Sequence, residues 1–154
     1  MLLSTPGNDR LAIDKRKAAA VMTTTTRPHA AAGDGDGEWR LVGGAEVPCE
    51  LRAVREARQH VARLVATAGL DWLGDDAGIV TSEIVTNAIL HGSPAGRAVL
   101  LAVEVTASMG PGAVRVSVAD YSDQVPVRRE LPPEGAENGR GLHLIDSLAK
   151  SWGC

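Results

Sequence analysis

Along this chain the apolar residues switch between a helical and a strand period, and the switches mark out the elements. Leu51, Val54, Ala57, Val61, Leu64 and Val65 recur at helical spacing while Arg52, Arg55 and Arg58 fall largely elsewhere. This predicts an amphipathic helix from Pro48 to about Ala68, closed by Gly69. A second helix is expected to run to His91 and stop at Gly92, with Asp75 and Asp76 complementing the dipole at its start. Val114, Val116 and Val118 alternate with Arg115 and Ser117, a strand pattern with one covered face. Ala113 to Tyr121 and Arg97 to Ala107 should therefore form an antiparallel hairpin across the turn Ser108 to Gly112. Trp39 to Val42 reads as a short strand bounded by Gly43 and Gly44, and Leu142, Ile145, Leu148 and Ala149 give a final helix from about Leu142 to Ser151. Between them Ser122 to Asn138, rich in Pro, Glu and Gly, reads as a mobile loop. Residues 1–38, with Thr23 to Thr26, Ala30 to Ala32 and Gly33 to Gly37, show neither period and read as a flexible tail ahead of a domain at 39–154.

The second helix carries the first candidate chemistry. Glu83, Asn87 and His91 recur every four residues and so share one face, flanked by Ile79 and Leu90 on one side and by Val80, Ile84 and Ala88 on the other. The pattern predicts that this face is buried. An unpartnered polar group there costs roughly 2–7 kcal/mol, so a ligand, a metal ion or water is expected to satisfy the three. A carboxylate serves as general base toward a hydroxyl, and an amide oxygen is a hard ligand suited to Mg2+. Half-exposed helix residues with a capping histidine would give the same spacing. Asp120 is the first charge after the apolar run Val114 to Ala119, at a strand end. It fits either an acceptor for an exocyclic amine such as that of adenine or a turn aspartate opening a loop. Asn138-Gly139-Arg140-Gly141 fits either a plain cap or a backbone that approaches a phosphate at a helix N-terminus.

Composition narrows the classes. A length of 154 residues with 44% apolar content accommodates one domain with a core. The net charge of −3 argues against a nucleic-acid footprint, and Lys15-Arg16-Lys17, the only basic cluster, lies in the expected tail, where solvation outweighs a nucleic-acid contact. Cys49 and Cys154 form neither a zinc pattern nor a disulfide framework. No apolar run approaches the roughly 18 residues of a membrane span, and Ala18 to Met22 is too short for a signal peptide core. The expectation is a cytoplasmic protein without a membrane partner.

Taken together, the motifs resemble those of the Bergerat-fold, histidine-kinase-like ATP-binding domains. Ser82 to Gly92 resembles the N-box of that family, Val118 to Ser122 its adenine-binding G1 box, and Gly139 to Ile145 its G2 box. The compact length and the ending Ser147 to Gly153 look most like the anti-sigma-factor serine/threonine kinases. The resemblance implies an α+β two-layer sandwich, with an antiparallel or mixed sheet carrying helices on one face. It implies ATP and Mg2+ as cofactors, Glu83 as the catalytic base, Asn87 as the Mg2+ ligand and Asp120 as the adenine acceptor. Gly139 and Gly141 would embrace the phosphates, with Arg140 reaching a phosphate or facing solvent. It implies as partners an anti-anti-sigma-type antagonist, a sigma factor, or both, and a homodimer. Two departures stand out: Ser122 replaces a glycine common after the G1 aspartate, and relatives continue past Trp152-Gly153 with further strand. The chain is therefore expected to lack C-terminal strand and to leave an open edge. The alternatives to a kinase are a non-catalytic ATP-binding or sigma-sequestering module and an inactive truncated remnant.

Overall fold

The computed structural model describes residues 20–26, 38–94, 96–106, 112–122 and 141–153. Strands β1 (Ala20–Thr26), β2 (Trp39–Val47), β3 (Val99–Thr106), β4 (Val114–Asp120) and β5 (Ser151–Gly153) form one sheet in the order β2-β3-β4-β1-β5. All pairings are antiparallel. Helices α1 (Ala53–Thr67), α2 (Gly74–Asn87) and α3 (Gly141–Leu148) complete an α+β fold, with α1 packed on α2 and β2, and α2 on β4 and α3.

The strand alternation sets which face the helices cover. Leu101, Val103 and Val105 in β3 and Val114, Val116 and Val118 in β4 are buried in one core with Ala57, Val61 and Val65 of α1 and Ile84 and Val85 of α2. The β3–β4 register pairs Leu101 with Val118 and Val103 with Val116, so these residues meet the helices as one apolar surface. Glu104 and Arg115 are paired in the same ladder and form an ion pair at 3.5 Å, while the Arg115 guanidinium stacks 3.8 Å above the Trp39 ring.

Four elements differ from the sequence expectation. Gly43 and Gly44 do not end the first domain strand; β2 continues to Val47 with a register shift between Leu41 and Gly43. A Cβ on Gly43 would come within 2.8 Å of Leu64 Cδ2, so the glycine admits α1 close to the sheet. Residues 20–26, expected within the tail, form β1 between β4 and β5. The run from Ala20 through Val21 and Met22 to the four threonines Thr23 to Thr26 has no apolar alternation, but Val and Thr favour extended backbone and the pairing comes from strands distant in sequence. Ser151 leaves the final helix for β5, where the Trp152 indole N–H donates to Asp146 Oδ1 at 2.8 Å and ties this short edge strand to α3. Finally, α2 gives way after Asn87 to a wider, π-helical turn over Ala88–Gly92. The end of α1 agrees with expectation, Gly69 taking a φ of 80° just beyond it. The expected loop lies largely outside the described residues, as do Gly139 and Arg140.

Removing Leu101, 1% exposed, should leave a cavity at the helix–sheet interface, whereas Leu51 is 56% exposed despite its place in the helical pattern. Leu101→Ala is expected to lower unfolding stability by about 2–5 kcal/mol in a denaturant titration, and Leu51→Ala by less than about 0.5 kcal/mol.

Candidate functional site

The buried stripe of α2 is Ala77, Val80, Thr81, Ile84 and Val85, continued by Ala88. Glu83 and Asn87 lie beside this stripe rather than within it, and both are half-buried. His91 is exposed and so is Leu90, at 56%. The expectation that all three polar residues share a buried face is thus corrected. In the π-helical turn the bonding widens from i→i+4 to i→i+5, and the four-residue stacking that would set His91 over Asn87 is lost. Glu83 and Asn87, on the regular part of α2, keep it.

The turn delivers Gly92 to the end of β4. There the Tyr121 backbone N–H donates to the Gly92 carbonyl at 2.8 Å. The preceding residue, Asp120, accepts from the Ser122 backbone N–H on Oδ1 at 2.9 Å, and its Oδ2 fills the space that a Cβ on Gly92 would need. The Tyr121 ring carries the Arg97 guanidinium 4.8 Å from its centroid. Ser122, the departure from the usual glycine, thus serves Asp120 through its main chain. Across the site α3 opens at Gly141 against Glu83: a Cβ on Gly141 would collide with Glu83 Oε2 and lie 3.4 Å from its Cδ. The structure therefore joins Asp120 to the end of the α2 segment, and Gly141 to Glu83.

Both carboxylates are weakly compensated. Burial raises the Glu83 pKa above its ordinary value; burial also raises that of Asp120, opposed by the Ser122 N–H. Neither carboxylate forms an ion pair among the described residues. A raised carboxyl is a stronger base, which suits proton acceptance from a hydroxyl. No group of three or more His, Cys, Asp or Glu side chains able to hold a metal alone occurs among the described residues. Asn87, whose side chain has no hydrogen-bond partner among them, fits the kind of Mg2+ site in which protein supplies one or two ligands and substrate phosphates with water supply the rest. Cys49 packs against the Ile89 and Ser93 carbonyls, with Sγ at 3.8 and 3.7 Å, a structural role beside the same turn.

Sequence reading missed Gly92 as a site residue. It was legible only as a glycine after a helix, the ordinary signature of a stop.

A helix-borne carboxylate and amide, a strand-end aspartate and a glycine-opened helix define an α+β nucleotide-binding class. The family model for the histidine kinase-like ATPase domain matches residues 47–152, and the chain belongs to that family, whose domains bind ATP. No curated protein and no solved structure matches the chain. No helix among the described residues is long and apolar enough to cross a membrane.

The raised carboxyls have a measurable consequence. The folded chain binds their protons more tightly than the unfolded chain, so stability falls as pH rises from the ordinary values, 3.8 for Asp120 and 4.5 for Glu83, through the raised folded ones. Asp120→Asn and Glu83→Gln are expected to melt above the wild type at pH 7, with the advantage shrinking toward about pH 4. Lower melting of both variants at pH 7 would mean that the ionised carboxylates hold structural bonds.

Proposed function

We propose that this ATP-binding regulatory domain is a protein serine/threonine kinase of the anti-sigma-factor type. The observation that supports it most is Glu83, a half-buried carboxylate without an ion-pair partner among the described residues, raised by burial and one helical turn from Asn87. Asp120 accepts the exocyclic amine of adenine, Asn87 helps to hold Mg2+, and Gly141 with Gly139 and Arg140 meets the phosphates. Mg2+ held at Asn87 would supply neutralisation of the phosphoryl charge. Glu83 orients the partner's hydroxyl and takes its proton as the new O–P bond forms and the bond between the γ-phosphorus and the ADP oxygen breaks. Positioning and electrostatics carry most of such a reaction.

The raised pKa of Glu83 supports the base role because it narrows the gap to the hydroxyl proton. Asp120 supports the adenine role because a carboxylate accepts only, whereas guanine presents a carbonyl at the corresponding position. The partner in this proposal is an anti-anti-sigma-type antagonist protein, and a sigma factor is the second binding partner.

Glu83→Gln keeps the shape and removes the base. Transfer of radiolabelled γ-phosphate to an antagonist protein is expected to fall by about 100-fold or more, with ATP affinity within about threefold of wild type. Transfer that survives the substitution would overturn the assignment of Glu83. A wild-type chain that binds ATP and its partner without transferring phosphate would favour a non-catalytic sequestering module.

A further inference from the structure

Gly92 looks like a helix stop, but its backbone does not require glycine. Among the described residues a positive φ occurs at Gly69, Gly96 and Gly112, and Gly92 is not one of them. Any L-residue could adopt its backbone conformation. What distinguishes the position is space. A Cβ built there would clash with Asp120 Oδ2 and Cγ and lie 2.8 Å from Asp120 Cβ, and these are the three nearest atoms it would meet.

The surroundings leave no easy escape. Gly92 is buried, and its carbonyl is fixed by the Tyr121 N–H at 2.8 Å, so the main chain cannot retreat without breaking a bond at the end of β4. The other Asp120 oxygen is held at 2.9 Å by the Ser122 N–H. A methyl group at position 92 would have to turn the carboxylate away, breaking that second bond as well.

We infer that Gly92 is a positioning residue for purine recognition: the absence of its side chain opens the place in which the Asp120 carboxylate is held toward the base. The inference rests on the nucleotide reading above and adds to it a specificity determinant outside the residues that touch the base. Through the π-helical turn the same glycine couples the helix bearing Glu83 and Asn87 to the adenine acceptor.

Two experiments on the full chain test it. In calorimetric titrations with Mg2+, Gly92→Ala is expected to weaken ATP binding by about tenfold or more and to bring the ratio of ATP to GTP affinity toward one, because a misdirected carboxylate no longer tells the two bases apart. Retention of the wild-type affinity ratio by a folded variant overturns the inference. The second is a melting cycle without nucleotide, using Gly92→Ala, Asp120→Gly and the two combined. Asp120→Gly removes the three atoms that the added methyl meets first, so the destabilisation caused by Gly92→Ala should largely vanish in that background. Additive losses would overturn the contact even if Gly92→Ala alone fails to fold. A wild-type chain that binds neither nucleotide would overturn the ATP reading itself, and the melting cycle would still decide whether Gly92 governs the placement of Asp120.

Discussion

One backbone hydrogen bond, from Tyr121 N–H to the Gly92 carbonyl, joins the last turn of the α2 segment to the end of β4. Much of the site follows from that junction. The core fixes the flat side of α2 against the sheet through Ile84, Val85 and Ala88, but apolar packing is non-directional and tolerates sliding. The bond sets the register between helix end and strand end, and with it the position of Asp120 relative to the helix carrying Glu83 and Asn87. A widened turn at this place accords with the tendency of such turns to occur at functional sites, where regular bonding is given up to aim a group.

The same region concentrates unfavourable choices. Burial raises the pKa of both Glu83 and Asp120, and among the described residues neither has a cationic partner. Such groups make the free chain less stable than it could be, a familiar cost of a site prepared for a ligand. Elsewhere the chain compensates charge more conventionally, with Arg115 between Glu104 and the Trp39 ring and Arg52 beside Glu50.

Much of this was legible in the sequence. Helical and strand periods located α1, α2, the β3–β4 hairpin and α3 because each has one apolar side, and the motif spacing identified the family. Three features were hidden. Residues 20–26 gave no alternation, so a strand stabilised by pairing with β4 read as tail. Gly43 and Gly92 read as punctuation because sequence shows a missing side chain without showing what occupies its space; Leu64 fills it in one case and the Asp120 carboxylate in the other. A rotation of about 100° per residue places His91 and Leu90 relative to Asn87 in a way that the π-helical turn does not obey. Local period was a good guide wherever bonding stayed regular, and it failed where tertiary contacts changed the bonding.

In the proposed site Asp120 recognises the base of a bound adenine nucleotide. Its most direct test is a calorimetric titration of the 154-residue chain with ATP and Mg2+, beside the Asp120→Asn variant. Saturable binding by the wild type, weakened by about tenfold or more in a variant that remains folded, is the expected result. Equal binding by both chains, or none by a folded wild type, would rule out that role for Asp120.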